Sequence, residues 1–200
     1  MSSISATDVK ALRDRTGAGM MECKAALQEA DGDAEKAVEL LRVRGQAKAA
    51  KRGERQATEG TIGHYVHFNG KVGALVEVDC ETDFVAKNED FLNFAREVAV
   101  HVASAAPRWV SEEDVPGDER ERERAIFEAQ ADESKPQQVR EKIAEGRLRK
   151  WLEEVVLLNQ PHVNTDKHDG RTIEQLRTEL SHRTGENVVI RRFTRYAVGD

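Results

Sequence analysis

Residues 62 to 80 constrain the fold more than any other stretch of the chain. Ile62, His64, Val66 and Phe68 share one face of an extended segment, and Asn69-Gly70 supplies a hairpin turn. On the return, Val72, Ala74, Val76, Val78 and Cys80 alternate with Gly73, Glu77 and Asp79 on the other face. A two-residue period puts successive side chains on opposite sides of a strand, so the pattern predicts a β-hairpin. The flanking sequence has the period of helices instead. Upstream, Val9, Leu12 and Thr16 lie at helical spacing behind Ser5 or Thr7 as N-cap. Met21, Ala25 and Leu27 mark a second helix, and Asp33 caps a third that carries Ala34, Val38 and Leu41. Thr16-Gly17-Ala18-Gly19 and Asp31-Gly32-Asp33 supply the breaks.

Downstream, Asn88 can cap a helix with Phe91, Phe94, Ala95, Val98 and Val102 as its apolar stripe, ended by Pro107. Residues 117–134 are dense in Glu and Arg and read as a solvated helix. Lys135-Pro136 breaks it, and Pro136 suits the first turn of the next helix, which carries Leu148, Leu152 and Val155. Residues 172–182 are helical again, and Asn187 to Ile190, Phe193 and Tyr196 read as a closing strand. The order predicts an α+β fold: a three-helix module, then a small antiparallel sheet flanked by helices. Between Gly45 and Gly60 no apolar side chain larger than alanine occurs, while Lys48, Lys51, Arg52 and Arg55 crowd together. That shift divides the chain into residues 1–52 and 53–200, joined by an alanine-rich helical linker.

A formal net charge of −6 argues against a general nucleic-acid binder. The basic stretch 42–55 has no aromatic residue to stack on bases, so it reads as a solvated linker rather than a phosphate-binding patch. No apolar run approaches the roughly 20 residues that span a bilayer. Met1-Ser2-Ser3-Ile4-Ser5-Ala6 lacks the basic start and apolar stretch of a secretory signal. A cytoplasmic protein without membrane contact is expected, with Cys23 and Cys80 as reduced, buried thiols. Asn69-Gly70-Lys71 fails as a phosphate loop, because Tyr65 stands where the motif needs glycine and Val72 where it needs Ser or Thr. His64 and His67 have no carboxylate or thiol at a familiar ligand spacing, and no G-x-S-x-G elbow occurs. The expectation is therefore a protein that is not an enzyme and has neither catalytic residues, nor a metal, nor a cofactor.

Glu81-Thr82-Asp83-Phe84-Val85-Ala86-Lys87-Asn88 joins strand to helix where small polar residues are usual. Phe84 and Val85 either tuck beneath the helix or project as an anchor for a partner's crevice. Two stretches resemble signatures of the bacterial elongation factor Ts family. One is Val9 to Leu27 (VKALRDRTGAGMMECKAAL), and the other is Val76 to Asn88 (VEVDCETDFVAKN). The resemblance continues through Lys135-Pro136, Ile143 to Leu148 and Leu157 to Pro161, and is least distinctive over 162–185.

The resemblance implies an N-terminal ubiquitin-associated-like module and elongation factor Tu as partner. It also implies guanine nucleotide exchange rather than catalysis. Thr82, Asp83, Phe84 and Val85 would form the segment that disturbs the partner's magnesium site. Lys10, Arg13, Met20 and Met21 would touch its nucleotide domain. Two adjacent residues cannot both face inward on one helix, so at least one of Met20 and Met21 is expected at the surface. Longer members of the family have two core subdomains where this chain has room for one, which implies a homodimer. An adaptor for ubiquitin-like proteins would leave the core unexplained, and a nucleic-acid chaperone would rest on 42–55 alone.

Overall fold

The computed structural model describes residues 4–200 except Glu133 and Lys135, and the side chains of all but Gln46, Lys48, Ala49 and Ala50 among these. Among the described residues the chain forms nine helices and one three-stranded antiparallel sheet, in the order β1-β2-β3. It divides into two compact units. One comprises the chain up to Thr61 with Asp79–Leu92 and Leu176–Val189; the other comprises Ile62–Val78, Asn93–Gln175 and Ile190–Asp200.

The first unit contains the ubiquitin-associated-like helices α1 (Ala6–Thr16), α2 (Met20–Glu29) and α3 (Ala34–Arg52). Ser5 is the N-cap of α1. Asp8 N–H donates to Ser5 Oγ at 3.1 Å, and Ser5 N–H donates to Asp8 Oδ2 at 3.1 Å, a reciprocal box. Asp33 Oδ1 accepts from the N–H groups of Glu35 and Lys36 and so starts α3. The bundle core is built from Val9, Leu12, Ala18, Cys23, Ala26, Leu27, Ala30, Ala37 and Leu41. Along α2 and its C-cap Ala30 the buried residues are thus Cys23, Ala26, Leu27 and Ala30, while Met21 and Ala25 of the expected stripe are exposed. The alanines allow close helix approach, and those four stand at i, i+3, i+4 and i+7, one face of a helix. At the surface Arg15 makes a two-pronged ion pair with Glu35, at 2.6 and 2.9 Å.

The strands β1 (Glu59–Val66) and β2 (Val72–Cys80), most of whose residues belong to the second unit, pair as expected. The turn runs from His67 to Gly70, whose N–H donates to His67 O at 2.8 Å; His67 N–H donates to Val72 O at 2.8 Å. Only Gly70 has a positive φ, +68°, so Asn69-Gly70 is not a two-residue turn with both centres left-handed. Ala74, Val76, Val78 and Cys80 are buried. Helix α5 (Glu89–Ala105) lies against Gly63, where a Cβ would stand 2.1 Å from the Ala95 carbonyl oxygen. That approach turns Ile62, His64 and Val66 to the opposite, exposed side.

Helix α6 (Gly117–Ala129) buries none of its residues, as its charge pattern implies, and packs along α7 (Gln137–Val155). Pro136 is the N-cap of α7 rather than part of its first turn; its carbonyl accepts from Arg140 N–H at 3.1 Å. Lys135, the other half of the expected break, lies outside the described residues. Val115, Leu152 and Val156 form a second core cluster, flanked by Trp109, Leu148, Trp151 and Val155. Helix α9 (Ile173–Thr184) precedes β3 (Val189–Ala197), so Asn187 and Val188 stand before the strand and not in it. No helix among the described residues is long and apolar enough to cross a membrane.

Candidate partner-binding surface

Strand β2 ends at Cys80, and the chain turns at Glu81 and Thr82 into the one-turn helix α4 (Asp83–Ala86). Thr82 is its N-cap. The Thr82 hydroxyl uses both capacities: Oγ1 accepts from Val85 N–H at 3.4 Å and donates to Glu186 Oε1 at 2.6 Å. The other Glu186 oxygen accepts from the N–H groups of Glu81 and Thr82, at 3.0 and 3.1 Å. Glu81 is held in return. Its Oε1 accepts from Asn187 N–H at 2.7 Å and from Arg55 Nη1 at 3.4 Å, and Asn187 Nδ2 donates to Arg55 O at 2.8 Å. Glu186 and Asn187 therefore fasten the start of the segment to a distant part of the chain.

The segment's own side chains divide by exposure. Ala86 is buried and Val85 half-buried, whereas Phe84 is 83% exposed. Phe84 is thus outside the core, which removes one of its two readings. Asp83 is also exposed; its Oδ2 accepts from Lys87 Nζ at 2.6 Å, and this hydrogen bond and the ammonium charge hold its carboxyl below the usual range. Cys80 Sγ donates to Thr82 O at 3.2 Å. Burial, reinforced by the Glu186 charge, pushes that thiol up to about 11, so it stays protonated and is no thiolate nucleophile.

Lys10, Arg13, Met20 and Met21 are all exposed, Met21 at 75%. Arg13 and Met20 line one cleft with Gly17, Glu22, Arg52 and Arg183; Lys10 and Met21 are not part of its wall. Two of its cations are tied in place, Arg52 Nη1 to Ser181 O at 3.0 Å and Arg183 to the Asp90 carboxylate. His182 Nε2 lies 3.3 Å from Glu22 Oε2. All eight expected contact residues fall in the first unit. What sequence reasoning missed is the fastening. Glu186 and Asn187 lie more than 100 positions from the residues they hold, and no local motif marks them.

A model of the family described as "Elongation factor TS" matches residues 34–169, which include the 82–85 segment but not Lys10 to Met21. The chain is 53% identical to the elongation factor Ts of Solidesulfovibrio magneticus over 201 aligned positions, covering 100% of this chain and 99% of that one. It is 52% identical to that of Carboxydothermus hydrogenoformans, over 96% and 88% of the two chains. For Thermosipho melanesiensis the identity is 50%, over 98% and 100%. The chain belongs to the elongation factor Ts family, whose members are translation elongation factors.

Proposed function

We propose that the protein is the guanine nucleotide exchange factor for elongation factor Tu, acting in the cytoplasm without a cofactor and without chemistry of its own. The observation that carries the reading is Phe84, an aromatic held in solvent on a segment whose backbone is fixed by Glu186. A pre-positioned aromatic spends little conformational entropy on binding, so it makes an efficient wedge. In this reading Thr82, Asp83, Phe84 and Val85 enter beside the partner's magnesium site. Phe84 parts side chains and Asp83 orders polar groups near the switch region. With the magnesium dislodged, the diphosphate's charge is no longer neutralised, GDP leaves, and GTP loads. Lys10, Arg13, Met20 and Met21 supply a second grip. The division of labour between a helical module of residues 1–52 and a core of 53–200 belongs to the same proposal.

The proposal includes a homodimer and no direct contact with nucleic acid. Ile62, Val66, Leu75 and Tyr196 expose apolar area on the side of the sheet turned away from α5. A monomer seldom leaves such a row in water, and a second copy covering it supports the dimer inferred from the single core unit.

Linkage gives the test. Whatever factor the protein lowers GDP affinity by, GDP must lower the protein's affinity for elongation factor Tu by the same factor. Titrating the protein into elongation factor Tu, with and without saturating GDP, is expected to show that weakening. Equal affinities would remove the exchange mechanism while leaving a binding partner.

A further inference from the structure

Three of the chain's six histidines gather in the second unit. Helix α5 carries Glu97 and His101, the segment after α7 carries His162, and α8 (Thr165–His168) ends in His168. The His101 and His162 ring centres are 5.5 Å apart, and those of His162 and His168 are 4.3 Å apart, edge to face. Burial pushes His101 down to about 4 and holds His162 below its ordinary range.

The three rings differ in what occupies their nitrogens. Both nitrogens of His101 are committed, one to Gln160 Oε1 at 2.8 Å and the other to Val163 N–H at 3.2 Å. His162 Nδ1 accepts from Asn164 N–H at 3.0 Å, while its Nε2 has only a long 3.3 Å contact with Glu97 O. His168 Nε2 is buried without a hydrogen bond, although Glu97 Oε2 lies 3.0 Å away. The distance suits an ion pair but the direction does not suit a hydrogen bond. A buried polar nitrogen normally has a partner, so this one needs an explanation.

We propose that Glu97, His162 and His168 bind a divalent transition-metal ion of the zinc type. Each offers one ligand atom, and the three atoms lie within 4.8 Å of one another. Zinc bonds of about 2.0–2.1 Å set neighbouring ligands roughly 3.3 Å apart in a tetrahedron, so contraction by about 1.5 Å at most assembles the site. Two imidazoles and one carboxylate favour zinc, cobalt or nickel over magnesium and calcium, which prefer all-oxygen shells. His162 and His168 are 3% and 8% exposed, while Glu97 and its ion-pair partner Lys167 reach the surface and give the ion its way in. Lys167 withdraws into water when the metal replaces its charge. Ligation through Nδ1 costs His162 only the contact from Asn164 N–H, whereas ligation through Nε2 moves the ring proton to Nδ1 and costs both present contacts. The bound ion then ties α5, the 160–164 segment and α8 together, a structural staple with one position left for water.

The sequence reading expects no metal and weighs only His64 and His67; Glu97 and His162 stand 65 positions apart, and no local motif joins them. The experiment uses the full chain, stripped with a chelator and titrated with Zn²⁺ in a calorimeter and with Co²⁺ by visible absorption, with Mg²⁺ as comparison. Expected are one Zn²⁺ per chain at micromolar affinity, a tetrahedral Co²⁺ spectrum, and a melting temperature that rises with Zn²⁺ concentration. Glu97→Gln and His168→Gln are each expected to weaken binding by roughly a hundredfold. His64→Gln, on the exposed strand face, leaves it unchanged. If His168→Gln does not fold, the half-exposed Glu97→Gln decides alone. Absence of stoichiometric Zn²⁺ binding, or binding that Glu97→Gln leaves intact, overturns the proposal.

Discussion

Phe84 is exposed, and Glu186 fastens the start of the segment that carries it. Truncating Phe84 removes little buried area from the free protein, so Phe84→Ala is expected to shift stability by about 0.5 kcal/mol or less. If it is the wedge, the same change slows exchange tenfold or more, since a central aromatic anchor is worth about 2 kcal/mol and each 1.4 kcal/mol is roughly tenfold. Thermal melts and exchange rates on one preparation check both halves. Glu186→Ala strips the acceptors from two backbone N–H groups and the Thr82 hydroxyl. A loss of about 1–3 kcal/mol and slower exchange are expected. Glu186→Gln restores most of both, because its carbonyl oxygen can still take the two N–H bonds. A Gln variant as slow as Ala would mean that the charge, not the fastening, matters. The sequence displays Phe84 plainly, as an aromatic out of place in a connection. It conceals Glu186, whose role exists only once residues 105 positions apart are folded together.

At the level of elements, period and caps are local properties and were legible. The hairpin, the Asp33 cap and the bare surface of α6 follow from neighbouring residues, and of Ser5 and Thr7, the two caps open to α1, the structure uses Ser5. Which face of an element is inside depends on what packs there, and that is not local. Both sides of β1 carry large side chains, Ile62 and Val66 against Tyr65, so alternation alone cannot choose between them. Gly63 decides it, because only a residue without Cβ admits the Ala95 carbonyl. Gly63→Ala is therefore expected to cost about 3 kcal/mol, the upper end for overpacking, measured by denaturant unfolding. A cost below about 0.5 kcal/mol would mean that α5 does not sit against that strand. The same limit explains α2, where Met21 and Ala25 fit a helical stripe as well as Cys23 and Ala26 do until the bundle assembles.

For the whole molecule, the proposed dimer rests on the family resemblance and on Ile62, Val66, Leu75 and Tyr196, which expose apolar area on one side of the sheet. Light scattering under reducing conditions is expected to give about twice the 22.4 kDa chain mass. Leu75→Asp, which places a charge in the middle of that face, is expected to return it to 22.4 kDa while the chain stays folded. A wild-type protein at 22.4 kDa across micromolar concentrations would contradict the dimer without touching exchange. Exchange itself is tested most directly by the release of labelled GDP from purified elongation factor Tu, with excess unlabelled nucleotide and a catalytic amount of this protein. Release is expected to accelerate with each molecule acting many times, and Phe84→Ala to lose most of that acceleration. Release at the intrinsic rate of elongation factor Tu, with the wild-type protein folded and present, would contradict the account.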